Sequence, residues 1–229
     1  MANKNIAGIN KIVAILVLVL PAFLLIFIST RGCEHKFKKL PDYGKAIAYS
    51  FEGVDGKKYT SSDFDDQVVL INTLQITCPD SCAISLWHLD QLVYQHIRKN
   101  KTKKLKQIKL ISFVTDNNGK PVKDLSKIKK ALEDNVIEYD PSIWILAKGN
   151  PEKLYDFKNN EQTLLEEGEE FYGGKAYLEL MLLIDKSNHL RMVGRGKSEG
   201  EIRRMFQHVA LLMKQYDKVR KTQNLENEK

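Results

Sequence analysis

The apolar positions of the chain fall into a few distinct patterns. Residues 12–28 (IVAILVLVLPAFLLIFI) are seventeen consecutive apolar residues with Pro21 as the one helix-breaker, at the short end of what spans a bilayer. Residues 68–74 are rich in Val, Ile and Leu, with Asn72 and Thr73 as polar breaks, which predicts a strand buried on both faces of a sheet covered by helices. Residues 108–114 (IKLISFV) and 142–147 (SIWILA) predict two more strands, and 180–185 (LMLLID) with 190–193 predicts a hairpin across Lys186, Ser187, Asn188 and His189. Helical spacing governs the rest. Ala83, Leu86, Leu89 and Leu92 share one face, as do Leu125, Ile128 and Leu132, and Ile202, Met205, Phe206, Val209 and Leu212.

Turn residues divide these elements. Residues 50–60 read as a hairpin turning at Asp55-Gly56, and 61–64 as a turn of helix before the central strand. Gly119 and Pro121 mark a loop, and Pro151 opens a short helix over 151–157. Ser198 and Glu201 form a capping box for the last helix, and the charged tail after Asp217 is expected to fray. Strand, helix, strand, helix implies a parallel pair and a layered α/β domain. The chain divides into an N-terminal segment (1–11), an anchor (12–28), a linker (29–48), a folded domain (49–216) and a charged tail (217–229).

The chemistry lies where the central strand ends. Thr77-Cys78-Pro79-Asp80-Ser81-Cys82 places two thiols four residues apart. Pro79 suits a first helical position, which would put Cys78 at the cap, facing the positive end of the helix dipole, where a thiol ionises more readily. Cβ atoms at this spacing on one ideal helix are about 5–6 Å apart, beyond the roughly 3.5–4.5 Å of a disulfide. With Cys78 off the helix, the pair can form a disulfide or hold a soft metal ion between two thiolates.

Composition changes this picture in two ways. The 229 residues suffice for one sizeable core, and 43% hydrophobic with 28% charged residues is ordinary for a globular protein. The net charge of +7 is not, and seven basic residues with no acidic one lie between Arg98 and Lys109. That run reads as a solvated loop ahead of a docking patch for an acidic partner or anionic lipid, and without interleaved aromatics it does not read as a nucleic-acid site. Three cysteines, Cys33, Cys78 and Cys82, are too few for a disulfide scaffold.

No small-x-small cleavage site follows residue 28, and the Gly32-Cys33 pair lacks the lipoprotein pattern, so residues 12–28 read as an uncleaved anchor. Lys4 and Lys11 precede it while Arg31, Lys36, Lys38 and Lys39 follow, a count that by itself would keep the domain inside. Cys33 and His35 form a Cys-x-His pair that reads as a juxtamembrane cysteine and a stray histidine.

The hairpin, the strand delivering a cysteine pair to a helix start, the β-α-β crossover, the closing hairpin and the last helix describe a thioredoxin-like fold, a three-layer sandwich. With the anchor, the CxxxC motif and Leu182-Leu183-Ile184-Asp185, the sequence resembles the Sco/SenC family over roughly residues 49–213. The resemblance implies a single-pass membrane protein with its domain facing the periplasm or outside. It also implies copper, as Cu(I), or thiol-disulfide exchange at Cys78 and Cys82, serving a cytochrome c oxidase subunit or redox partner in assembly of the CuA centre. Cys78 and Cys82 are thus both the candidate catalytic and the candidate metal-binding residues. The family's later histidine ligand has no counterpart, because its position falls at or near Tyr177 and no histidine lies between Ile97 and Asn188. No proline follows Pro151, so the thioredoxin cis-proline is missing, as in the Sco/SenC pattern. Copper handling, metal-free thiol exchange by Cys78 with Cys82 resolving, and an anchored scaffold with a structural disulfide all stay open. A peroxidase fits less well, since no arginine lies near Cys78.

Overall fold

A computed structural model describes residues 17, 19–26, 40–76, 82–99, 107–159, 162–166 and 174–227. Residues 17 and 19–26 are helical, with exposed apolar side chains such as Phe23 and Leu25. The rest of the predicted anchor lies outside the described residues, and among the described residues no helix is long and apolar enough to cross a membrane. Residues 1–38 and 39–229 form separate compact units.

The second unit is built on a seven-stranded sheet. Its elements are β1 (Ser50–Gly53), β2 (Lys58–Thr60), β3 (Val68–Gln75), α1 (Cys82–Leu89), α2 (Gln95–Lys99), β4 (Ile108–Thr115), α3 (Ser126–Asn135), β5 (Trp144–Lys148), α4 (Glu152–Tyr155), a small hairpin of β6 (Lys158–Asn159) and β7 (Gln162–Thr163), β8 (Leu180–Ile184), β9 (Leu190–Arg195) and α5 (Glu199–Asn227). The strand order is β2-β1-β5-β4-β3-β8-β9, with β3, β4 and β5 parallel at the centre. The hairpin at Asp55-Gly56 forms as expected, with Gly56 at φ +76 in a conformation that suits glycine.

Each face of the sheet carries its own core. Val68 and Leu70 of β3 point into one, with Leu89, Ile97, Leu132 and Val209 from α1, α2, α3 and α5. Val69 and Ile71 point into the other, with Phe51, Phe64, Tyr155 and Leu178. The dense run of apolar residues in β3 therefore reflects burial on both faces of the sheet. Its polar breaks are satisfied internally: Ser112 donates to Asn72 Oδ1 at 2.6 Å, Trp144 Nε1 donates to Ser112 at 2.8 Å, and Thr73 donates to the Leu178 carbonyl at 2.6 Å.

Three segments differ from expectation. Between α1 and α2 the helix opens into a π-turn over Asp90–Tyr94, which moves the buried face from Leu92 onto Asp90, Val93 and Tyr94. Asp90 is tolerated in the core because Gln91 and Gln95 donate to its carboxylate at 2.7 and 2.8 Å. Residues 40–46, read as linker, run along the β8–β9 turn instead. Tyr43 N donates to Leu190 O, Leu190 N to Gly44 O and Ala46 N to Asn188 O, while Arg191 donates to the Leu40 and Pro41 carbonyls. The last helix continues through Asn227 rather than fraying after Asp217, in a stretch rich in the good helix formers Lys, Arg, Gln, Glu and Leu. At its start Glu201 faces Arg204 at 3.4 Å.

Candidate functional site

The central strand delivers the cysteine segment to the carboxyl end of the parallel sheet, the end where open α/β sheets place their ligands. β3 stops at Gln75, and Ile76 N donates to the Thr115 carbonyl at 3.0 Å, so the chain leaves between β3 and β4. Cys82 is the first residue of α1. Cys78, and with it the expected cap at Pro79, lies outside the described residues. Ile76 and Cys82 flank residues 77–81, which carry the rest of the CxxxC motif.

Opposite α1, this end is walled by polar groups. Gln75 and Thr115 stand directly across from each other in the β3–β4 register, and both are buried. The 3-10 turn Ala176–Glu179 precedes β8 and carries Tyr177, which is 2% exposed, its ring 5.2 Å from that of Tyr155. The turn after β4 receives the Tyr177 hydroxyl against Gly119, where a Cβ would lie 2.0 Å from that oxygen. Lys175 N donates to the Asn117 carbonyl at 3.0 Å, and a Cβ on Gly174 would lie 2.9 Å from the Gln75 amide. Burial, helped by the Glu152 and Asp116 carboxylates, pushes the Tyr177 phenol up to about 12. It therefore stays neutral at physiological pH.

Tyr177, buried against Gly119, offers a metal only a protonated phenol. Soft thiolates select Cu(I), whereas a protonated phenol oxygen is a hard and weak donor. Among the described residues no group of three or more His, Cys, Asp or Glu could hold a metal.

Of the four described histidines, His96, His189 and His208 are engaged elsewhere, whereas His88 keeps a buried Nδ1 without a partner. His88 lies six residues beyond Cys82, about 9 Å along the helix, with Nε2 3.8 Å from Glu199. His96 stacks on Phe206 at 5.2 Å, and His208 Nδ1 sits 2.8 Å from the Arg204 carbonyl. His189 meets both carboxylate oxygens of Asp42 at 3.0 Å in the β8–β9 turn, and the pairing of Ile184 with Val69 puts that turn at the opposite end of the sheet.

Apolar surface flanks the motif. Ile76, Ile84 and Trp87 are 43%, 58% and 58% exposed, an unusual investment of large side chains at the mouth of a site. Sequence reasoning singled out Cys78, Cys82 and the position of Tyr177, and it gave no sign of the contacts of Thr115, Gln75 or Gly119, which join distant segments.

No family model matches the chain, and no curated protein matches it. Solved structures do. BsSco, described as a member of the Sco family of cytochrome c oxidase assembly proteins with a disulfide switch, superposes with a TM-score of 0.53 at 16% identity, over 77% of this chain and 96% of that one. A SCO1/SenC family lipoprotein from Bacillus anthracis gives 0.49 at 20% identity, over 74% and 97%. A thiol:disulfide interchange protein from Bacteroides sp. gives 0.42 at 15% identity, over 69% and 84%. At such identities the likeness is one of fold, and it agrees with the sheet order above: the chain is a thioredoxin-like α/β protein, with Sco/SenC proteins among its structural neighbours.

Proposed function

We propose that this is a membrane-anchored, Sco/SenC-like protein that acts through Cys78 and Cys82 in copper delivery to, or thiol reduction for, assembly of the CuA centre of cytochrome c oxidase. The observation that carries the reading is the position of the motif, which joins the carboxyl end of the buried central strand to the start of α1. Residues 12–28 would hold the protein to the cell membrane, with the domain on the periplasmic or outer side. In the copper branch, Cys78 and Cys82 bind Cu(I) as cargo through two thiolates. In the exchange branch, the Cys78 sulfur attacks a partner disulfide and releases one partner thiol. Cys82 then attacks the mixed disulfide, leaving a Cys78–Cys82 disulfide and a fully reduced partner. Tyr177, standing where the resemblance expects a histidine, favours the exchange branch. The exposed Ile84 and Trp87 support a protein client.

Anaerobic Cu(I) titration of the reduced full chain in detergent, against a chelator of known affinity, tests the reading. One tightly held ion lost in Cys78→Ser or Cys82→Ser supports delivery. No binding above the chelator, with a disulfide that exchanges reversibly with glutathione, leaves the thiol reductase. Neither property would mean a redox-silent scaffold and overturn the proposal.

A further inference from the structure

The turn after β4 sets an exposed electrophile beside a buried nucleophile. Asn118-Gly119 is the one Asn-Gly pair in the sequence, and glycine, with no Cβ, leaves its nitrogen least hindered toward the preceding side-chain amide. Asn118 is exposed, and its Nδ2 donates to Asn117 Oδ1 at 3.2 Å, so this amide stands in solvent. Gly119 is buried, and its N–H donates to the Asp116 carbonyl at 3.1 Å.

The turn is closed from within and from without. Asp116 Oδ1 accepts the Asn118 and Lys120 amides at 2.8 and 2.9 Å, and Asp116 N donates to the Lys120 carbonyl at 3.0 Å. From the segment before β8, Lys175 N donates to the Asn117 carbonyl at 3.0 Å, and the Tyr177 hydroxyl fills the space beside the Gly119 Cα. The Tyr177 hydroxyl, like Thr115 Oγ1, is buried without a hydrogen-bond partner. Packing, and no hydrogen bond, therefore holds that oxygen against the glycine.

In an Asn-Gly pair the glycine nitrogen can attack the asparagine side chain, and here it must first give up its hydrogen bond and its proton. The new N–C bond to Asn118 Cγ closes a succinimide and expels the side-chain nitrogen as ammonia, which carries the proton away. Water then opens the ring to aspartate or isoaspartate. One amide and one water give one carboxylate and one ammonia, with no change of oxidation state. Isoaspartate routes the main chain through the side-chain carbon, so the turn is longer and Gly119 no longer fits under Tyr177.

We propose that Asn118 is a spontaneous deamidation site gated by the Gly119–Tyr177 contact, and that its conversion to isoaspartate keeps this wall of the site open once it has opened. The folded turn withholds the nucleophile, and only its opening releases it.

The test incubates the full chain in detergent in mildly alkaline buffer, with and without urea, and follows Asn118 by the mass of its peptide and by isoaspartate methylation. Conversion is expected to be at least about tenfold faster in urea, the scale of a local opening that the fold opposes. Asp116→Ala, which leaves two turn amides without their acceptor, is expected to speed conversion in the folded chain about threefold or more. In the converted protein, amide exchange at Gly119 and Lys175 is expected to lose about tenfold in protection, whereas Asn118→Gln, whose longer side chain closes the ring poorly, keeps it. Equal conversion with and without urea, or none in either, would overturn the gated site. Unchanged exchange in the converted protein would overturn the effect on the wall.

Discussion

The Tyr177 hydroxyl occupies the space that a side chain on Gly119 would need, with only 2.0 Å between that oxygen and an ideal Cβ. Gly119 also has φ +76, so two independent constraints demand glycine there. Gly119→Ala is expected to destabilise the domain by about 2–4 kcal/mol through strain and overlap, read as a lower urea midpoint. Combining it with Tyr177→Phe should recover only part of the loss, because the ring carbon that bears the hydroxyl also lies 3.0 Å from the added Cβ.

Ser112 holds the buried polar chain between Asn72 and Trp144. Ser112→Ala leaves an amide oxygen and an indole N–H unpaired in the core, so a loss of about 2–4 kcal/mol is expected. Urea unfolding followed by tryptophan fluorescence measures it. A change below about 0.5 kcal/mol would mean that water or a rearranged Asn72 replaces the bond.

The segment at 40–46 should loosen in acid. Asp42 has its carboxyl held below the usual range first by its hydrogen bond with His189 and then by the Gly44 amide. A depressed carboxylate contributes stability above its ordinary pKa, near 3.8, and that contribution is lost as pH falls through the lower folded value. Amide exchange protection at Tyr43, Ala46 and Leu190 should therefore decline below about pH 4. In Asp42→Asn it should already be reduced at neutral pH and show no further acid step. Arg191, which also grips Asp185 at 2.8 Å, would keep residual protection through its bonds to Leu40 and Pro41.

Trp87 offers a way to separate a protein client from a small thiol. Trp87→Ala is expected to slow exchange with a protein disulfide by about tenfold, the scale of an aromatic anchor at an interface. The rate with glutathione should stay within about twofold. Equal slowing of both would place the effect in the dithiol or in α1 itself and remove the surface from the client-binding role.

Much of the architecture could be read from the chain because it is locally encoded. Apolar runs marked β3, β4 and β8, and Asp55-Gly56 marked its hairpin. Tertiary structure decided what local periodicity cannot carry. The π-turn depends on Gln95 reaching both Asp90 and the Ile137 carbonyl, and the segment at 40–46 depends on Arg191, some 150 residues away. The site wall depends on it most. Thr115, Gly119 and Tyr177 are unremarkable in sequence, and they become a pair of acceptorless donors only when β4 and β8, at either side of β3, bring them to one end of the sheet.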